Sequence, residues 1–389
     1  MKYDFDRVIE RKTSECAKWT SPEYIGAEPD AIPLSIADMD FESPAPVIDA
    51  LHARVAHRVL GYPARPQSFF DAIIAWMHTR QRWDIQQEWL TFTPGVVPAL
   101  NLAVQAFSQP GDAVIVQTPV YYPFLFAIKN NGRQLIANQL KVENDRYGMD
   151  FETLAQQITP RTRLLILCSP HNPVGRVWTR DELTRLGEIC RAHNVLIVSD
   201  EIHSDLIFPG HTHTPLAAIS DELAQITLTL NAPSKTFNLA GLFTSFAIIP
   251  NPQLRARFNI ALENTGIGAN NLFGIVAAEA AYRDGAEWLS QVLDYIATNA
   301  RFVADYFAAC IPQIKVTPLE GTYLLWLDFR GLGLGDAEIT ALLKRARVAM
   351  NDGAMFGAGG EGFRRMNIAC PRATLTDALQ RIERAVNHS

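Results

Sequence analysis

The chain has 389 residues, 48% of them hydrophobic and 20% charged, with a formal net charge of -6. That length exceeds what one hydrophobic core serves well, so two domains sharing one site are expected, and the ordinary globular balance excludes disordered and fibrous classes. No basic block accompanies the acidic charge, which excludes a nucleic-acid footprint, and five scattered cysteines without a CxxC pair exclude a disulfide framework or a zinc knuckle and point to a reducing cytoplasm.

In chain order, MKYDFDRVIERK alternates charge with apolar residues and lacks the apolar run of a secretion signal, so no export is expected. It begins an arm over residues 1–48 that is expected to pack with a small domain. No apolar run approaches the roughly 20 residues needed to cross a bilayer, so no membrane association is expected. From about residue 95 short apolar runs recur: AVIVQ near 113, LLILC near 164, VLIVS near 195, TLTL near 227 and FAII near 246. Bounded by polar turns, they suit strands of a buried, mostly parallel sheet covered by helices, an α/β large domain over 49–283. Asp284 and the Glu three residues later form a capping-box signal, and Trp288, Val292, Ile296, Val303 and Phe307 recur at helical spacing. They predict a long helix leading out of that domain. Beyond it KVTPLEGTYLLWLDF reads as a strand, ITALLKRARVAM as a helix and FRRMNIA as a strand, a smaller α+β domain within 284–389.

Several segments carry candidate chemistry. Thr93-Pro94-Gly95-Val96-Val97 sets a glycine before a helix start, whose open N–H groups suit an anion. Ser169-Pro170-His171-Asn172-Pro173-Val174-Gly175-Arg176 is a turn-rich loop after LLILC. Asp200-Glu201-Ile202-His203 follows VLIVS, so its first acid stands at the carboxyl end of a strand, where open α/β sheets bind ligands; the plainer reading is a helix cap. Lys235 sits in the polar loop Ser234–Gly241; most such lysines are solvated surface charges and a few are Schiff-base nucleophiles. On FRRMNIA, strand alternation sends Arg365 and Asn367 to one face and Arg364 to the other, and a planar guanidinium fork suits an α-carboxylate. Gly357, Gly359 and Gly362 match GxGxxG but precede a strand instead of opening a helix, so they read as a loop near Arg365. His211 and His213 form an HxH pair with no cysteine or acid cluster nearby to complete a metal set, so no metal is expected.

In this order the segments resemble the fold type I aminotransferase superfamily of pyridoxal-phosphate enzymes across nearly the whole chain. The resemblance implies pyridoxal 5'-phosphate as cofactor, held by Lys235 as a Schiff base. It implies that Asp200 pairs with the pyridine nitrogen, Asn172 bonds the ring hydroxyl, and Tyr121 stacks on the ring. Gly95, Val96, Val97 and Ser234 would cradle the phosphate, His203 would join the cofactor contacts, and Arg365 would take the substrate carboxylate. Three further features resemble the MalY/PatB-like cystathionine β-lyase group of that superfamily. These are Ala37-Asp38-Met39-Asp40-Phe41 followed by Pro44, the DEIH form with His203 where aminotransferases usually have tyrosine, and Gly61-Tyr62-Pro63. The group's matching tyrosine reaches the neighbouring subunit's phosphate, so Tyr62 implies a homodimer with shared active sites.

Two positions depart from the pattern. Ser35 stands where the group usually has tryptophan, and Phe243 where many aminotransferases have an arginine for the phosphate. Tyr323 and the residues around Tyr24 are expected among the pocket walls. The implied activity is β-elimination of cystathionine or related cysteine-S-conjugates to thiol, pyruvate and ammonia, with Lys235 as the base at Cα. An aminotransferase, and a cofactor-binding regulatory protein acting through a protein partner, are the other readings.

Overall fold

In the computed structural model, which describes residues 2–22, 30–267 and 271–388, the short apolar runs pair into one seven-stranded sheet. Its strands are β1 (Leu90–Thr93), β2 (Ala113–Thr118), β3 (Gln134–Gln139), β4 (Thr162–Cys168), β5 (Leu196–Asp200), β6 (Thr227–Asn231) and β7 (Ser245–Ile248), in the order β1-β7-β6-β5-β4-β2-β3. Only β7 is reversed, antiparallel to both β6 and β1. Every residue of β2 and β6 is buried, which is why these strands read as unbroken apolar runs instead of alternating ones. Alternation survives in which layer each side chain enters. Val114, Val116, Leu164 and Ile166 pack with the helix Val96–Phe107, while Ile115, Leu165 and Leu167 pack with Trp178 and the helix Arg180–Ala192.

A second, antiparallel sheet contains β8 (Lys315–Val316), β9 (Leu324–Asp328), β10 (Asn351–Asp352) and β11 (Phe363–Asn367), in the order β8-β9-β11-β10. The helices Asp336–Ala346 and Arg372–Asn387 cover it through buried Leu342, Leu343, Leu375 and Leu379. The N-terminal arm joins this layer, with Ile32–Pro33 pairing in parallel with Val348–Ala349.

Three expectations need correction. KVTPLEGTYLLWLDF is two strands, because its Pro318 and Gly321 belong to a loop that folds back, with Glu320 N and Gly321 N both donating to Gly175 O. A Cβ on Gly321 would lie 2.9 Å from Leu206 O, so the approach requires glycine. The helix read through ITALLKRARVAM stops at Ala346: Arg347 turns to φ 54°, and the next two residues become the strand against the arm. The long helix, Ala286–Cys310, begins on Gly285 without a side-chain cap. Asp284 instead ends the preceding helix, Leu272–Asp284, and pairs with Arg283. Its apolar stripe is buried as the spacing requires.

Candidate active site

A cavity of about 250 Å³ lies at the carboxyl ends of β4, β5 and β6. Gly95, Val96, Val97, Tyr121, Asn172, Asp200, His203, Ser234 and Lys235 all line it. They arrive from separate segments because each apolar strand ends in a turn that aims polar groups at the same sheet edge.

Lys235 lies on the turn Pro233–Thr236 just after β6. The turn is pinned by its own Thr236, whose Oγ1 donates to buried Asp205 Oδ2 at 2.9 Å. Asp205 also accepts from Gln81 Nε2 at 2.7 Å and Trp76 Nε1 at 3.1 Å. Lys235 Nζ donates to Ala37 O at 2.6 Å, and Tyr323 Oη donates to the same carbonyl at 2.9 Å. Burial lowers the proton affinity of Lys235 to about 8; Arg365 adds to that effect while Asp38 and Asp200 oppose it.

Asp200 ends β5, where its Oδ1 accepts from Ile202 N at 3.1 Å. Burial pushes its carboxyl up to about 7, against the opposing pull of the Ile202 N–H and Lys235. Such a group favours a cationic partner, and a protonated pyridine nitrogen is one. His203 is buried and held neutral, its pKa lowered to about 3 first by burial and then by Lys235 and Arg365. Its Nδ1 has no hydrogen-bond partner among the described residues, and its ring meets the edge of Tyr323 at 6.0 Å.

Arg365 approaches from β11. Its Nη1 donates to Asn172 Oδ1 at 3.1 Å, and its Nη2 to Ser35 O at 2.8 Å and Asn351 Oδ1 at 2.7 Å. No carboxylate pairs with it among the described residues, and its Nε is buried without a partner. Arg364 points the other way, to Asp336 and Thr340, as strand alternation requires. A buried guanidinium lacking an anion is poised for a substrate carboxylate.

At the opposite end, Gly95 caps the helix Val96–Phe107 with no side-chain bond, leaving first-turn N–H groups open toward the cavity. Phe243 and Thr244 also line the cavity, and among its described lining residues Lys235 is the one lysine or arginine. A phosphate there would meet N–H and hydroxyl donors and the positive end of the helix dipole. The orphaned polar atoms of His203 and Arg365, the open helix start and the buried carboxyl of Asp200 together fit pyridoxal phosphate.

Some expected residues lie elsewhere. Tyr62 is fully exposed outside the cavity, and Tyr24 falls outside the described residues. Tyr323 reaches the site through the Ala37 carbonyl. The HxH pair diverges, His213 onto Glu201 at 3.0 Å and His211 to 4.0 Å from Glu320. Gly357, Gly359 and Gly362 all take positive φ, in turns leading into β11.

The sequence reading did not assign a role to the backbone of residues 35–41. Asn367 Nδ2 donates to Ile36 O and Asp38 O, each at 2.6 Å. Asn238, three residues after Lys235, donates to Met39 O and Phe41 O, each at 3.0 Å. ADMDF is therefore a strap lashed to both the lysine turn and the arginine strand.

The chain matches the family model for aminotransferase class I and II over residues 29–382. It is 44% identical to cystathionine beta-lyase PatB of Bacillus subtilis, over 99% of this chain and 100% of that one. Cystalysin of Treponema denticola, whose structure contains pyridoxal 5'-phosphate, superposes with a TM-score of 0.97 at 39% identity, covering all of both chains. A pyridoxal-phosphate-bound C-S lyase of Staphylococcus hominis superposes with a TM-score of 0.92 at 31% identity, over 99% of this chain and 98% of that one.

Proposed function

The chain belongs to the aminotransferase class I and II family, and from that premise we propose that it is a pyridoxal-phosphate-dependent carbon–sulfur β-lyase. Its substrates are small amino acids, cystathionine or related cysteine-S-conjugates, and its products thiol, pyruvate and ammonia. The observation that carries this reading is the convergence of Lys235, Asp200 and Asn172 on one cavity, with buried Arg365 joined to it through its bond to Asn172 Oδ1.

Pyridoxal phosphate, when bound, withdraws electrons from the α-carbon of the amino acid joined to it, so that a thiolate on Cβ can depart. Lys235 would be its attachment point, Asp200 would keep the ring nitrogen protonated, and Tyr121, Asn172 and His203 would hold the ring. Gly95, Val96, Val97 and Ser234 would hold the phosphate. Arg365, whose Nε is without a partner among the described residues, binds the substrate α-carboxylate and orients Cα toward Lys235. Lys235 Nζ, with its affinity lowered to about 8, is the base that takes the Cα proton near neutral pH. The Ala37 carbonyl and Tyr323 steady that amine between steps.

The same reading divides the chain into an arm (1–48), a cofactor domain (49–283) and an interdomain helix with a small domain (284–389). It makes the protein a homodimer, in which exposed Tyr62 of each subunit serves the other's phosphate. Five free cysteines among the described residues suit a reducing cytoplasm, and no helix is long and apolar enough to cross a membrane among the described residues.

Incubation with cystathionine, cysteine and alanine in parallel, following thiol, pyruvate and visible absorption, tests the reaction. Thiol and pyruvate release from cystathionine is expected, and Lys235→Ala abolishes both while remaining folded. Keto-acid-dependent amino transfer without thiol release would make the protein an aminotransferase. Cofactor binding without either product would favour a regulatory role.

A further inference from the structure

The N-terminal arm contributes a lysine that the reaction above does not use. The Lys18 side chain is 0% exposed. Its Nζ lies 2.8 Å from Asp40 Oδ2, 3.4 Å from Asp38 Oδ1 and 3.3 Å from Asp38 O. Arg11 closes the other side, with Nη2 3.0 Å from Asp38 Oδ2 and Nη1 bonded to Asp40. Trp19 Nε1 donates to Asp40 Oδ1 at 2.9 Å. Two cations and two anions thus neutralise one another largely out of water. Apolar side chains of similar volume commonly fill such a space at no loss of stability, so holding the arm in place does not require a charged cluster.

The cluster's location gives it a use. Asp38 directly follows Ala37, whose carbonyl receives Lys235 Nζ. The groups facing Lys235 are Asp38 from the strap, Asp200 from β5, Arg365 from β11 and neutral His203. Tyr323 shares the Ala37 carbonyl. Of the two carboxylates, Asp38 favours the protonated amine more strongly. Burial works against the charge of Asp38, but Lys18 and Arg11 outweigh it and hold the carboxyl below its ordinary range.

We propose that Lys18 and Arg11 are positioning residues for Lys235: they fix the Asp38 carboxylate and the Ala37 carbonyl beside the Lys235 amine, setting how readily it takes and returns the Cα proton. The inference rests on Lys235 being the attachment point and base of the proposed reaction.

The signs of the mutational effects separate this role from that of a structural staple. Lys18→Met or Arg11→Gln leaves one excess negative charge beside Lys235, so the amine keeps its proton to higher pH. Asp38→Asn leaves one excess positive charge and has the opposite effect. Lys18→Arg preserves the charge and the midpoint. Two readouts are used on the full chain. In the purified holoenzyme, the pH midpoint of visible absorption follows the proton on the lysine-bound nitrogen. In the cofactor-free protein, the pH midpoint for acetylation of Lys235 by trace acetic anhydride, read by peptide mass spectrometry, follows the free amine. Shifts of about one pH unit are expected, up for Lys18→Met and Arg11→Gln and down for Asp38→Asn. Midpoints that stay put, or that move the same way in all three variants, overturn the proposal. Arg11→Gln, with its partly exposed side chain, carries the test if Lys18→Met does not fold. Acetylation needs neither cofactor nor turnover, so absence of thiol and pyruvate release is a separate result that bears on the lyase reading alone.

Discussion

Asp200 links the site's chemistry to its stability. Its folded-state pKa is raised to about 7 from an ordinary 3.8. Without cofactor, its contribution is therefore fully present below about pH 4 and is lost as pH rises through about 7. Relative to the parent, cofactor-free Asp200→Asn should gain stability across that window, by roughly 1–4 kcal/mol at its upper end, in denaturant melts at several pH values. With cofactor the order reverses in function, because asparagine cannot hold the ring nitrogen protonated. Turnover in that variant should fall on the order of 10²-fold, the scale of losing one preorganised charge. At this scale the sequence was legible at Asp200, whose side chain closes an apolar strand, whereas Lys235, on the turn after β6, reads as solvated by itself and was marked by the family resemblance. Ala37 was illegible because its contribution is a backbone oxygen. Lys18 was illegible because a lysine reads as solvated, and only the fold brings Asp38 and Asp40 to it.

Among the elements, the helix Leu272–Asp284 supports from behind the turn that brings Phe243 and Thr244 to the cavity. A Cβ on its Gly274 would lie 1.8 Å from Thr244 Oγ1 and 2.8 Å from Leu242 O, the backbone of the turn that carries Phe243. Gly274→Ala must therefore push that turn toward the cavity, even though alanine favours a helix. A loss of about 1–3 kcal/mol is expected in chemical denaturation, together with weaker cofactor retention during gel filtration. The strands of the large sheet were legible because burial on both faces leaves continuous apolar runs. Boundaries were less so where tertiary contacts decide them. The loop between β8 and β9 exists to meet Gly175, and Arg347 turns so that Val348 can pair with Ile32. Neither partner is near in sequence.

At the scale of the whole molecule, Val59, Leu60 and Tyr62 are exposed on one stretch, and Phe243 is exposed beside the cavity. In the dimer reading the neighbouring subunit covers this apolar surface. Sedimentation at micromolar concentration should give twice the chain mass, and a monomer would remove the basis for shared sites. Tyr62→Phe should leave the dimer intact but weaken cofactor affinity about tenfold in a spectroscopic titration, the scale of one hydrogen bond to a charged group.

The strap also sets a schedule for biosynthesis. Asn367 holds Ile36 across 331 positions of chain, and Arg365 holds Ser35 across 330. A chain emerging from the ribosome carries residues 35–38 for almost its whole length before the strand that clasps them exists. The seven-stranded sheet can assemble during synthesis, whereas the Ala37 carbonyl can be seated only after β11 has been released. Removing the arm through the strap, residues 1–41, or the last thirty residues should then leave similar products, each with a formed sheet and an unfinished catalytic centre.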